Sequence, residues 1–227
     1  MTRDTLDRIL NRLKDELMRL ESMVRLATQE SVEAMLKRDQ KKSLEIYRND
    51  RLINQKRFEL ENECIIAIAT QHPMAVDLRL LASILEICTE LERMGDYAKG
   101  IARINLMVEA NGLLKPMQSI SRMTAITTEM LQRSVRAFVD GDVDEAREIP
   151  KLDDQVDSLY NRISQGLIEE ILQNPEQAEV ANHLQWAVHN IERMADRVTN
   201  ICERTVYVVT GIMNEFEESD DEYPKLT

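Results

Sequence analysis

Apolar residues step along the start of the chain by threes and fours. Leu10, Leu13, Leu17, Leu20, Val24, Ala27, Ser31 and Ala34 form a seam of period ~3.5, the pattern of a long helix lying in a bundle. Asp4 and Thr5 precede the seam and are placed to cap it. A second helix is expected from about Ser43, carrying Ile46, Ile53, Leu60, Cys64 and Ile68 and stopping at "TQHP". Pro73 suits the first turn of a third helix, which carries Leu78, Leu81, Leu85 and Cys88 to about Glu109. "EANGLLKP" is the break, with Asn111-Gly112 as its stop. Three more helices are expected beyond it: about Met117 to Val139, Asp142 to Gln173, and Glu176 to Glu215. Pro150 falls inside the fifth, where it should kink or restart the helix.

The two halves repeat. "SVEAMLKRD" (31–39) matches "SVRAFVDGD" (134–142), and Asp50-x-x-Ile53-Asn54 matches Asp153-x-x-Val156-Asp157, both at an offset of 103. The turn "QHP" (71–73) matches "QNP" (173–175), and "LERMGD" (91–96) matches "IERMAD" (191–196) at an offset of 100. The expected fold is therefore all-α, with two tandem, internally duplicated three-helix bundles. Residues 1–112 make the first bundle, 113–216 the second, and 217–227 an acidic tail.

Composition agrees. Six glycines and five prolines in 227 residues are too few for the turns of a sheet protein. The net charge of −12 comes without a basic cluster, which excludes a duplex-binding surface and turns attention to cations or to basic patches on other proteins. Cys64, Cys88 and Cys202 each lie in a helical apolar pattern and form no C-x-x-C pair. They read as small core hydrophobes in a reduced, cytosolic setting. No signal peptide is visible, and the longest clean apolar run, about "CIIAIA", is far short of the ~20 residues of a membrane span.

The repeated acids carry the candidate chemistry. Glu92 and Asp96 stand four apart on one helix face, as do Glu192 and Asp196. Asp153 interrupts the apolar stripe Ile149, Val156, Tyr160, Ile163, Leu167, and Glu92 falls where its own stripe calls for an apolar residue. In the hairpin turning near Asn174, Asp153 and Asp157 lie as far before the turn as Glu192 and Asp196 lie after it. Antiparallel helices of equal rise bring such residues to one level. Four carboxylates meeting in a small volume suit a cation held by oxygen ligands. The first half matches to about one turn, with Asp50, Glu92 and Asp96, but Asn54 stands where the second half has an acid. The ordinary alternative is a solvated face of ion pairs with Arg93 and Arg193. Repetition in both halves favours a site. His189 shares the face of Glu192 and Asp196 and offers a nitrogen ligand, but its counterpart is Thr89, so it reads as a surface histidine.

The E-R-M-x-D blocks, their D-x-x-[IV]-[DN] partners, the "HPMAVDLRLL" entry to the third helix and the duplicated plan resemble the PhoU family over about residues 4 to 212. The resemblance implies a cytoplasmic, non-enzymatic regulator of phosphate uptake that works with a phosphate ABC transporter and a sensor histidine kinase. It implies that the phosphate regulon is kept silent when phosphate is plentiful. It also implies iron or zinc clusters at Asp153, Asp157, Glu192 and Asp196 in one bundle and at Asp50, Glu92 and Asp96 in the other. The family block continues D-x-x-x-N-I; Asn200-Ile201 matches it and Gly100-Ile101 does not, which favours the second site. A homodimer is expected, with no nucleic-acid partner and no membrane insertion. Two other readings stay open. A di-iron carboxylate enzyme normally needs Glu-x-x-His from two helices, a spacing this chain lacks. A metal-free helical scaffold would leave the acids solvated, with Met23 and Met35 exposed for dimerisation. Trp186 is expected in the core or an interface.

Overall fold

A computed structural model describes residues 3–108, 117–213 and 216. Among them the chain forms α1 (Arg3–Lys37), α2 (Gln40–Gln71), α3 (Val76–Met107), α4 (Met117–Asp140), α5 (Val143–Glu148), α6 (Asp153–Gln173) and α7 (Ala178–Thr210), and no strand. Tight 3-10 turns at Ile149–Leu152 and Pro175–Gln177 precede α6 and α7. The α1 seam is as expected: Leu10, Leu13, Leu17, Leu20 and Val24 are buried. Between α1 and α2 the chain reverses at Arg38, whose φ is 56°. The Asp39 carboxylate then accepts from the Lys42 amide at 2.9 Å, capping α2.

Several boundaries differ from the sequence expectation. Asp4 and Thr5 lie within the first turn of α1 rather than ahead of it. Pro73 does not open α3. His72 adopts the left-handed conformation that stops α2, Ala75 has φ 39°, and the helix begins at Val76. Proline tolerates a helix's first turn but does not nucleate one. At Pro150 the fifth helix breaks, and α6 restarts at Asp153, because proline lacks the amide that would continue the ladder. α7 ends at Gly211, left-handed at φ 77°, whose amide bonds the Tyr207 carbonyl at 2.8 Å. That is short of the expected end at Glu215, because the left-handed glycine stops the helix. The expected stop at Asn111-Gly112, the α3 end at Glu109 and the acidic tail lie outside the described residues.

The first bundle packs α1, α2 and α3 together; the second packs α4, α6 and α7, with α5 against α4 and α7. The bundles lie side by side, α3 against α7 and α1 against α4. One apolar cluster runs through both, from Leu6 to Val208, so the contact between the repeats is itself core. This changes the buried face of α3. Leu78 is exposed and Leu85 half-buried, while Leu80, Leu81, Ile84, Ile87, Cys88 and Leu91 are buried. A helix packed against three neighbours needs an apolar arc wider than one seam. Met35 is buried and Met23 half-buried, so neither forms the exposed apolar patch expected of a scaffold, and Trp186 is exposed.

Basic side chains of the first bundle close helix ends of the second. Lys14 Nζ donates to the Val139 carbonyl at 2.7 Å, near the end of α4. Arg79 Nε donates to the Val208 carbonyl at 3.3 Å, near the end of α7. Both place positive charge at the negative end of a helix dipole.

Candidate functional site

The facing pair α6 and α7 carries the carboxy-terminal acids. Its register is set by the Tyr160 and His189 rings, 6.0 Å apart, and by Gln185 Nε2, which donates to Ser164 Oγ at 2.8 Å and Tyr160 Oη at 3.2 Å. Going from these contacts toward the start of α6 and the end of α7, Asp157 comes level with Glu192, and Asp153 with Asp196. All four are half-buried. Asp153 follows buried Ile149 and precedes buried Val156 on the same stripe, which is why its carboxyl loses water. Burial raises the Asp153 pKa most, and the negative charges of Asp157, Asp196, Glu192 and Asp154 add to it, bringing it up to about 7. Both α7 acids thus act on one α6 acid. Oδ1 of Asp153 is buried without a hydrogen-bond partner, an uncommon state for a buried carboxylate oxygen. His189 Nδ1 lies 3.1 Å from Glu192 Oε2, with its ring largely in solvent.

The amino-terminal acids share this layout but not these neighbours. Lys99 of α3 donates from Nζ to Asp50 Oδ2 at 2.7 Å and lies 3.6 Å from Asp96 Oδ1. The same Asp50 oxygen accepts from Asn54 Nδ2 at 3.1 Å. Arg57 of α2 reaches Glu92 Oε1 at 3.2 Å and Glu61 Oε1 at 2.7 Å. The Lys99 ammonium also stands 5.6 Å from the centre of the Tyr47 ring. The hydrogen bond to Asp50, with the charges of Asp50 and Asp96, raises the Lys99 pKa above its ordinary value, against an opposing effect of burial. Asp50 itself is 5% exposed.

Among the described residues, no three His, Cys, Asp or Glu side chains are grouped closely enough to hold a metal ion as they stand. In donor chemistry the two sets part. Both loci hold buried oxygens without a hydrogen-bond partner, Asp153 Oδ1 in one and Asp50 Oδ1 and Asn54 Oδ1 in the other. Asp153, Asp157, Glu192 and Asp196 offer four carboxylates, and this set fits a cation. Asp50, Glu92 and Asp96 each already face a lysine or arginine of this chain, and this set does not. Sequence reasoning passed over Lys99, Arg57 and Tyr47. The spacing of Lys99 three after Asp96 was a readable sign, since residues three apart share a helix face.

A family model described as "PhoU domain" matches the chain twice, at residues 17–104 and 120–205. The chain is 34% identical to the phosphate-specific transport system accessory protein PhoU homolog of Clostridium acetobutylicum, over 93% of this chain and 97% of that protein. It is 36% identical to the homolog of the same name from Deinococcus radiodurans, over 71% and 76%. The crystal structure of the phosphate transport system regulatory protein PhoU from Streptococcus pneumoniae superposes with a TM-score of 0.87 at 29% identity, covering 93% of this chain and all of that one. PhoU from Pseudomonas aeruginosa gives 0.85 at 26% identity, over 91% and 99%. Two matched domains, full-length relatives and the duplicated bundle agree: the chain belongs to the PhoU family.

Proposed function

We propose that this protein is a non-enzymatic, cytoplasmic regulator of phosphate uptake and phosphate homeostasis. Acting as a homodimer, it negatively regulates the phosphate regulon by engaging a sensor histidine kinase and the phosphate ABC transporter. Iron or zinc is held by Asp153, Asp157, Glu192 and Asp196. Relatives that match most of the chain are named as accessory proteins of the phosphate-specific transport system, which supports the transport assignment. No described helix is long and apolar enough to cross a membrane, which suits an accessory role beside a transporter.

The observation that carries the metal reading is Asp153, whose buried oxygen lacks a partner while the charges of Asp157, Asp196, Glu192 and Asp154 act on it. A multivalent cation between α6 and α7 neutralises these charges and ties the two helices together. Because α7 also packs against α3 and α4, the state of the site bears on both bundles and on the faces they offer to partners.

The test uses protein purified without a histidine tag. Elemental analysis is expected to find iron or zinc in the wild type and to lose it in Asp153→Ala/Asp196→Ala. A pull-down with the sensor domain of the kinase and with the transporter's cytoplasmic subunit is expected to retain both partners. A metal-free wild type with an equally stable double variant removes the metal reading; failure to retain either partner removes the adaptor reading.

A further inference from the structure

We infer that the amino-terminal locus is a self-filled copy of the carboxylate site, with Lys99 and Arg57 supplying the positive charge that a bound cation would supply. On this inference each chain takes metal in its carboxy-terminal bundle alone. The metal half rests on the reading of Asp153 and its neighbours given above; the charge-compensation half stands without it.

The geometry is specific. The Lys99 ammonium sits between an α2 acid and an α3 acid, 2.7 Å from Asp50 and 3.6 Å from Asp96. That bridges the two helices in the way an inter-helix cation would. Arg57 makes the second bridge, from α2 to Glu92 on α3. Asn54 donates its amide nitrogen to Asp50 and leaves its own Oδ1 buried without a partner, a neutral amide oxygen where the second copy has a carboxylate. The Tyr47 ring centre lies 5.6 Å from the same ammonium.

Comparison of the repeats shows these four features changing together. At the offsets that align the acids, Tyr47 corresponds to Pro150, Asn54 to Asp157, Arg57 to Tyr160 and Lys99 to Thr199. The first copy has two cations, a cation-facing ring and an amide; the second has a proline, an acid, a phenol and a hydroxyl at the same places. The first copy thus carries two cations of its own at positions where the second carries none. A free cation would have to displace an ammonium tethered to its own helix, whose effective concentration at Asp50 is far above that of any dissolved metal. It would also enter beside two positive charges already in place. The floor of a cavity of about 190 Å³, lined by Met23, Leu26, Ile46 and Ile53, lies beside Asp50 and Lys99. This apolar wall strengthens the ion pair relative to one in open water.

Two measurements test the inference. The first is zinc and iron(II) stoichiometry in the full chain carrying Asp153→Ala/Asp196→Ala. Complete loss of bound metal is expected. Metal that persists there and disappears on adding Asp50→Asn overturns the inference. The second is thermal unfolding of Lys99→Met, Asp50→Asn and their combination, in the presence of a chelator. Lys99→Met is expected to lower the midpoint by about 4 °C or more, and adding Asp50→Asn to recover most of that loss. Additive midpoint shifts overturn the inference. Should Lys99→Met fail to fold, folding of the combined variant is the same rescue, and its failure the same refutation. A wild type that binds no metal sinks the metal reading on which the first half rests, while the unfolding series still decides whether Lys99 fills this site.

Discussion

Glu90 of α3 and Arg197 of α7 form an ion pair across the two bundles, 3.5 Å between Oε2 and Nη1. Glu90 lies two residues before Glu92, and Arg197 directly follows Asp196. Nearby, the Arg193 guanidinium stacks 4.8 Å from the Tyr97 ring centre. The two E-R-M-x-D segments therefore run antiparallel against each other. Each turns its acids toward its own bundle and its flanking residues toward the other. At Gly100 the Asn190 side chain lies over the helix, and a Cβ there would meet its Nδ2 at 2.9 Å.

The Glu90–Arg197 pair is 14% and 26% exposed, between the surface and buried limits. Glu90→Gln is expected to cost about 1–2 kcal/mol, read as a lower urea midpoint. Adding Arg197→Gln should cost less than its single substitution does, since the partner charge is already gone. Strict additivity would mean that the pair does not couple the bundles.

Asp153 makes metal-free stability depend on pH. Its folded pKa of about 7 stands above the ordinary aspartate value of 3.8. Below the ordinary value both folded and unfolded forms are protonated and the residue costs nothing. As pH rises toward 7 the unfolded chain gives up its proton more readily than the folded one, and relative stability is lost. Asp153→Asn, which cannot ionise, should raise the thermal midpoint of chelator-treated protein at pH 8. That gain should shrink steadily and vanish near pH 4. A gain independent of pH would point to packing rather than charge.

The helices and the shared level of the acids were legible in the sequence for a simple reason. A helix rises by a constant amount per residue, so counting away from a turn predicts which residues of a hairpin face one another. That count brought Asp153 and Asp157 to the level of Glu192 and Asp196 without saying which faces which. What chain-local patterns do not encode was misread. The buried arc of α3 depends on its third neighbour, α7, so Leu78 and Leu85 were assigned to a face that Leu80, Ile84 and Ile87 share in fact. The start of α3 turned on the left-handed His72 and the strained Ala75, and neither residue type announces that conformation. The partners of Asp50 were missed because Lys99 reaches it from another helix, 49 residues away. The contrast with Thr199 was nevertheless present in the aligned repeats.

Gly211 and Arg79 together close α7. A residue with φ 77° suits glycine, and a Cβ there would lie 3.5 Å from the Arg79 guanidinium. Gly211→Ala is expected to destabilise by about 1 kcal/mol through backbone strain alone. Arg79→Ala should cost about 1–2 kcal/mol, since the cation at the helix end and its bond to Val208 are lost together. Guanidinium denaturation followed by far-ultraviolet circular dichroism measures both.

The three cysteines report whether the bundles open together. Cys64 and Cys88 lie in the first bundle and Cys202 in the second, and all are fully buried. Burial pushes the Cys64 thiol up to about 12, with the nearby Glu63 and Glu61 adding to it. It also raises Cys88 and Cys202 well above the ordinary thiol value. Only the thiolate reacts readily with a disulfide reagent or an alkylating agent, so labelling of the native protein at pH 8 should be negligible over minutes. Because one apolar cluster runs through both bundles, neither half can expose its thiols without breaking the core it shares with the other. Labelling in increasing urea, resolved by mass spectrometry of the peptides, should therefore show all three cysteines becoming reactive at one midpoint. That midpoint should coincide with the loss of helical signal. Early labelling of Cys202 alone would mean that the second bundle opens while the first stays folded, and that the contact of α3 with α7 is weaker than its buried residues imply.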